Sequence, residues 1–327
     1  MEDRKIVVVA TGGTIAMRYD PIRKGVFPAV TGAELVEAIP QLADLCLVEV
    51  VEFSNIPSPH MTPELMFKLA GIIDGIAARS DVAGIVVTHG TDTLEETSFM
   101  LDLVVHTDKP VCVTAAMRSS AQISPDGPMN ILCAVKAALS PEAVGAGVLV
   151  VMNEEIHSAK DVTKTHSANP KTFESPFWGP LGYVDEDRII FRHKLVKTEK
   201  IQPQNIVSDV YLIKLVAGSD ALFFRFLIEQ QAKGIVVEGF GRGNVPPMVV
   251  PGIKAALAAG IPVVLATRVQ GGRVLDVYSY EGGVKPLKEM GVILGGEISG
   301  QKARIKLMLA LGITSDPQQI AGYFDRA

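Results

Sequence analysis

Short apolar runs recur along the chain at residues 6–10, 84–87, 111–115, 147–152, 211–216, 234–237 and 261–266, and they are rich in Val and Ile. Runs of four to six residues with few polar members predict strands buried on both faces. Helical spacing lies between them. Thr62-Pro63-Glu64 opens one helix, with Thr as N-cap and Pro at the first helical position, followed by Leu65, Phe67, Leu69, Ile72 and Ile73. Residues 94–105 and 128–139 predict two more, the second with Asn130 and Lys136 as its polar members. Alternating strands and helices predict an α/β fold whose sheet is mostly parallel.

The pattern breaks at residues 192–209, where His193, Lys194, Lys197, Lys200, Gln202, Pro203 and Gln204 give a polar, charged stretch. It reads as a link between domains. The expected organisation is therefore a larger N-terminal domain over residues 1–192, a linker over 193–209 and a smaller C-terminal α/β domain over 210–327. With 327 residues, 48% hydrophobic and 20% charged, the chain has an ordinary globular composition. A net charge of −5 with mixed signs lacks the basic footprint of a nucleic-acid partner. No apolar run is long enough to span a membrane. The start, Met1-Glu2-Asp3-Arg4-Lys5, has no apolar stretch of the secretory type, so a cytoplasmic protein is expected. A leader removed before the numbering begins would make it periplasmic. Cys46, Cys112 and Cys133 read as small hydrophobes in a reducing compartment.

Two segments carry the chemistry. Thr11-Gly12-Gly13-Thr14-Ile15-Ala16 and Thr88-His89-Gly90-Thr91-Asp92-Thr93 each follow an apolar run and deliver threonines on a glycine-loosened turn. A threonine hydroxyl becomes a nucleophile once a group within reach takes its proton. In parallel sheets such groups gather beyond the carboxyl ends of the strands. Thr14, Thr91 with Asp92, Ala116 with Met117, and Asn153 with Lys164 all follow predicted strands. Blander roles stand beside these: Thr14 as a turn cap, Asp92 as the N-cap of the helix at Leu94, Lys164 as a solvated lysine, and His89 as a structural histidine. The histidines have no metal-ligand spacing, so no metal is expected. Gly239, Gly241 and Gly243 miss the spacing of a dinucleotide loop, and no organic cofactor is expected.

Taken together, these motifs resemble the bacterial-type L-asparaginase/glutaminase family over nearly the whole chain. The resemblance rests on residues 11–16 and 87–93, Ala116-Met117-Arg118, Asp126-Gly127-Pro128, Asn130, residues 161–165, Gly179-Pro180-Leu181-Gly182-Tyr183 and the stretch Asp316-Pro317-Gln318-Gln319-Ile320. It implies an amidohydrolase in which Thr14 attacks the side-chain amide of L-asparagine, giving ammonia and an acyl-enzyme that water resolves to aspartate. It also implies a relay of Thr91, Asp92 and Lys164, and contacts from Ser58, Asp92, Thr91 and the Ala116 carbonyl to the substrate. A homotetramer built as a dimer of intimate dimers is implied, with Asn244 and a residue of 273–281, here Tyr278, entering a neighbouring subunit's site. The family's lid tyrosine falls at Gly25 or Val26, so Tyr19 is the expected stand-in, on a mobile lid over residues 16–30 that lacks apolar periodicity. Pro59 stands where a polar side chain is common and leaves glutamine or another ω-amide open as substrate. Readings of other classes are a non-catalytic amino-acid sensor and the ammonia-supplying subunit of an amidotransferase; the nine or so residues before Ala10 argue against the latter.

Overall fold

A computed structural model describes residues 4–196 and 198–325. The first residues, and Lys197 of the expected linker, lie outside the described residues. The chain divides into two compact units, Met1–Lys200 and Ile201–Ala327.

In the first unit the strands are β1 (Lys5–Gly12), β2 (Met17–Asp20), β3 (Gly25–Pro28), β4 (Leu47–Ile56), β5 (Val82–Thr88), β6 (Val111–Thr114), β7 (Val148–Met152), β8 (Glu155–Ser158), β9 (Thr163–Lys164), β10 (Phe173–Glu174), β11 (Gly182–Asp185) and β12 (Arg188–Phe191). Its helices are α1 (Gly32–Glu37), α2 (Pro63–Ala77), α3 (Leu94–Val104) and α4 (Gly127–Leu139). An eight-stranded sheet runs in the order β12-β11-β8-β7-β6-β5-β1-β4. From β4 to β7 every neighbouring pair is parallel. From β7 to β12 the pairs are antiparallel. The fold is α/β as expected, and its sheet is parallel only on the side that carries the threonine segments.

The parallel strands are buried because helices cover them. Ile6, Val8, Val86, Cys112 and Leu149 pack with Ile131, Ala134 and Val135 of α4 in one core cluster. Each of the Val, Leu and Ile side chains among them contributes about 1.5–3 kcal/mol on full burial. The Thr62 hydroxyl caps α2 by accepting from Leu65 N at 3.3 Å, with Pro63 in the first turn. Strand β4 was not predicted. It lies at the sheet edge and is half-buried, so Leu47-Val48-Glu49-Val50-Val51-Glu52 carries acids that hide the strand signal. Those acids are used: Glu49 takes both terminal nitrogens of Arg79 at 2.6 and 2.7 Å, and Glu52 accepts Gly32 N at the start of α1 at 2.6 Å.

The segment expected as a lid without regular structure is a β-hairpin. Strands β2 and β3 pair antiparallel, with Tyr19 opposite Val26. The Asp20 carboxylate closes its turn by accepting Ile22 N at 2.7 Å and Arg23 N at 3.2 Å. Exposure on both faces leaves such a ribbon without the alternation that would announce it.

The second unit holds β13 (Val210–Lys214), β14 (Gly234–Gly239), β15 (Val263–Thr267) and β16 (Ile293–Leu294), all parallel in that order. Its helices are α5 (Leu222–Glu229), α6 (Val250–Ala258), α7 (Val284–Glu289), α8 (Gly300–Leu311) and α9 (Pro317–Phe324). Its core gathers Phe224, Ile235, Val237, Ile253, Leu265 and Val284. No described helix is long and apolar enough to cross a membrane.

Candidate active site

Parallel pairing sets the carboxyl ends of β4, β1, β5 and β6 along one edge of the first unit's sheet. Strand β1 ends at Gly12-Gly13. Gly12 has φ +105°, and a Cβ there would stand 2.4 Å from Ile56 N at the end of β4. Gly13 has φ +85°, and a Cβ there would stand 2.3 Å from Gly90 Cα. Both turns therefore need bare backbone, and the two motifs meet glycine to glycine. Gly13 N donates to Ile56 O at 2.9 Å, which ties the β1 turn to β4. Thr14 follows, half-buried, as the first residue of a 3₁₀ turn over Thr14–Ala16.

The second turn carries Thr91 and Asp92. Lys164 Nζ donates to Thr91 Oγ1 at 2.9 Å and to Asp92 Oδ1 at 2.7 Å. An ammonium has only donors, so the Thr91 oxygen accepts here and keeps its own proton free to move. Thr91 is buried, while the Asp92 carboxylate keeps 58% of its side chain exposed. Thr93, not Asp92, occupies the N-cap position of α3, and no side-chain cap bond forms there. The capping role is thus set aside for Asp92, as is the solvated-loop role for Lys164.

Ser58 reaches the same place from β4, two residues past the strand. Its Oγ accepts Asp92 N at 3.1 Å, and its carbonyl accepts Thr93 Oγ1 at 2.9 Å. Ser58 comes so close to Gly90 that a Cβ at Gly90 would stand 2.6 Å from its hydroxyl oxygen. A serine oxygen that accepts from Asp92 N keeps its own proton free to donate.

His89 is fully buried. Its Nδ1 lies 2.8 Å from the Gly90 carbonyl and its Nε2 lies 3.0 Å from Thr97 Oγ1. A carbonyl can only accept, so Nδ1 carries the proton and Nε2 accepts from Thr97. Burial pushes its pKa down to about 4. The ring is a neutral brace rather than a base.

Ala116 follows β6, fully buried. The backbone around it is pinned on both sides. Asn130 Nδ2 donates to Ala115 O at 2.9 Å, and the Asp126 carboxylate accepts Met117 N at 3.0 Å and Arg118 N at 2.8 Å. Asn130 Oδ1 in turn accepts Asn153 N at 2.9 Å. Asn153 and Glu154, with φ of +49° and +65°, form the two-residue turn between β7 and β8. Asn153 thus shapes a turn, and Lys164 arrives from β9 rather than from the end of β7. Sequence reading quoted Asp126 and Asn130 without giving them work. The signal for it was polar residues four apart at the start of an otherwise apolar helix.

Tyr19 lies on the hairpin, about half exposed. Its partner across the ribbon is Val26, one of the two positions, with Gly25, where the lid tyrosine was expected to fall. Side chains opposite one another share a face. Asn244 and Tyr278 belong to the second unit. Asn244 pairs with Phe240 through backbone bonds of 2.8 and 2.9 Å, and its Oδ1 is buried without a hydrogen-bond partner. Tyr278 is part-exposed and its ring stands 5.6 Å from that of Tyr280. Among the described residues no group of three or more His, Cys, Asp or Glu is placed to hold a metal ion.

A parallel-sheet edge that presents two glycine-borne threonines and a carboxylate, with a part-buried lysine brought to it from β9, defines a class, and the comparisons agree. The family described as "Asparaginase, N-terminal" matches residues 5–197, and "Glutaminase/Asparaginase C-terminal domain" matches residues 209–324. The chain belongs to the asparaginase family. It is 37% identical to the L-asparaginase of Bacillus licheniformis over 94% of this chain and 96% of that one. It is 38% identical to L-asparaginase 2 of Bacillus subtilis over 98% of this chain and 86% of that one. The structure of a probable cytoplasmic L-asparaginase from Campylobacter jejuni superposes with a TM-score of 0.89 at 35% identity, covering 98% and 99% of the two chains.

Proposed function

We propose that this protein hydrolyses the side-chain amide of L-asparagine to L-aspartate and ammonia, with Thr14, Thr91, Asp92, Lys164 and Tyr19 as its catalytic residues. The observation that carries the reading is the pair of bonds from Lys164 Nζ to Thr91 Oγ1 and Asp92 Oδ1. Thr14 Oγ attacks the amide carbon as its proton passes to the leaving nitrogen. Tyr19 serves that transfer from the hairpin, which closes as a lid. Ammonia leaves and a Thr14 ester remains. Thr91, its oxygen held by the Lys164 donor, then takes a proton from the water that attacks the ester carbon as its own proton passes to the leaving Thr14 oxygen, which restores the Thr14 hydroxyl and releases aspartate. The exposed Asp92 carboxylate takes the substrate's α-ammonium, and the Ser58 hydroxyl donates to its α-carboxylate. Thr91 backbone and the pinned Ala116 carbonyl flank the amide. Glutamine is the competing substrate, since Pro59 supplies no donor near the α-carboxylate end.

The hydroxyl held by Lys164 also supports a second order of events, in which Thr91 attacks first. Acid quench of the reaction, followed by peptide mass spectrometry, locates the aspartyl ester on Thr14 or on Thr91. Thr14→Ala is expected to lower ammonia release at least a thousandfold on the scale set by removing a nucleophile. Retention of most turnover would refute the mechanism. Saturable aspartate binding by the unmutated protein without ammonia release would point to a sensor instead.

Self-association as a homotetramer is part of the same reading, with Asn244 and Tyr278 reaching a neighbouring subunit's site. Leu222, Phe223 and Phe226 expose an apolar face on α5, which supports it. Light scattering after size exclusion tests it. A cytoplasmic location is supported by Cys46, Cys112 and Cys133, all of them free thiols.

A further inference from the structure

Lys164 sits on a strand of two residues, β9, whose hydrogen-bonded partner is the equally short β10. So short a ribbon is marginally stable by itself and leans on what it packs against. A slip by one residue would turn Lys164 to the opposite face. One end of β9 is fixed by its turn, where Ser158 Oγ and Asp161 exchange bonds of 2.6 and 3.1 Å. The other end is held by β10, through the pairing of Lys164 with Phe173 and the bond from Thr165 N to Thr172 O at 2.7 Å, and by Lys164 N donating to Glu95 Oε2 at 3.3 Å.

Strand β10 is itself tethered on both sides to β8. Ahead of it, Lys171 Nζ lies 3.2 Å from Glu155 Oε1. Directly after it, Ser175 Oγ lies 3.0 Å from His157 Nδ1. Glu155 and His157 are two apart on β8 and so share a face. The second Glu155 oxygen stands 3.4 Å from His157 Nε2. His157 and Ser175 are both almost wholly buried. A carboxylate beside Nε2 favours the proton there, which leaves Nδ1 to accept from the Ser175 hydroxyl. Burial lowers the His157 pKa, in keeping with a neutral ring.

We infer that Glu155, His157 and Ser175 form a clasp that sets the register of β10 and, through it, the reach of Lys164 to Thr91, making His157 and Ser175 positioning residues for the relay. This inference rests on the relay reading above. Removing a buried bond leaves its partner unpaired, and the ribbon can relax by the fraction of an ångström that separates a 2.9 Å bond from none.

The test measures ammonia release from asparagine by Ser175→Ala, His157→Asn, His157→Leu and Lys164→Ala, with thermal melts to score folding. The Asn amide can stand near where Nδ1 does and keep the bond to Ser175. Expected is a ten- to hundredfold loss of kcat in Ser175→Ala and His157→Leu, on the order expected for a misplaced catalytic group. KM should stay within about twofold, and His157→Asn should recover most of the loss. If His157→Leu does not fold, Ser175→Ala carries the comparison, because it removes one hydroxyl and little volume. Full kcat in Ser175→Ala, or a loss that tracks the fraction unfolded, overturns the clasp while Lys164→Ala remains inactive. High activity in Lys164→Ala would instead sink the relay.

Discussion

Acidification should unfold the N-terminal unit partly through one residue. His89 is enclosed and neutral, with its pKa held down to about 4 by burial, while in the unfolded chain it would titrate near 6.5. Below about pH 6.5 the unfolded chain gains a proton that the folded chain refuses. The His89 contribution to stability is therefore complete above that pH, declines as pH falls, and is exhausted near pH 4. At about 1.4 kcal/mol per pH unit over about 2.5 units, the whole effect amounts to about 3.5 kcal/mol, about 3 of it lost by pH 4. That is a large part of the 5–15 kcal/mol typical of a folded domain. The perturbation is His89→Gln, which keeps polar contacts toward Gly90 and Thr97 but does not titrate. Trp178, the only tryptophan, is already two-thirds exposed, so unfolding is followed by far-ultraviolet circular dichroism rather than by fluorescence. Urea titrations between pH 7.5 and 4 should show the unmutated protein losing stability about 3 kcal/mol faster than the variant. Parallel stability curves for the two proteins would show that burial of this ring does not resist protonation.

Gly13→Ala should be close to inactive and less stable by about 2 kcal/mol or more, because φ +85° and the 2.3 Å approach to Gly90 leave no place for a methyl group; urea titration and turnover measure both. Asp126→Ala strips the acceptor from Met117 N and Arg118 N and should cost about 3 kcal/mol, with Asp126→Asn costing less, by the same titration.

Much of the site was legible because its parts are local. Glycine-borne threonines after buried β-rich runs announce strand-end turns, and Asp92 one residue from Thr91 places a carboxylate beside a hydroxyl before any fold is known. The edge strand β4 was not legible, since half-burial mixes acids into its pattern, and with it went the reason Ser58 stands beside Asp92. The hairpin β2–β3 was hidden for the same cause, exposure on both faces. The antiparallel strands β8, β11 and β12 were missed because charged and polar residues interrupt them, as in Glu155-Ile156-His157-Ser158, whereas the equally short β6 and the wholly apolar β7 were predicted.

The sequence alone determined the α/β class and the family, and it named the candidate reacting groups, because each is written in neighbouring residues. Only the tertiary structure decided which groups meet. Lys164 is 73 positions from Thr91, and its ammonium reaches that hydroxyl because β9 is held against β10 and β10 against β8. The two glycine turns are likewise distant in sequence and touch because β1 and β5 are parallel neighbours. Chemistry follows from side chains, which a sequence lists in order; proximity follows from strand pairing and packing, which join positions that the order keeps apart.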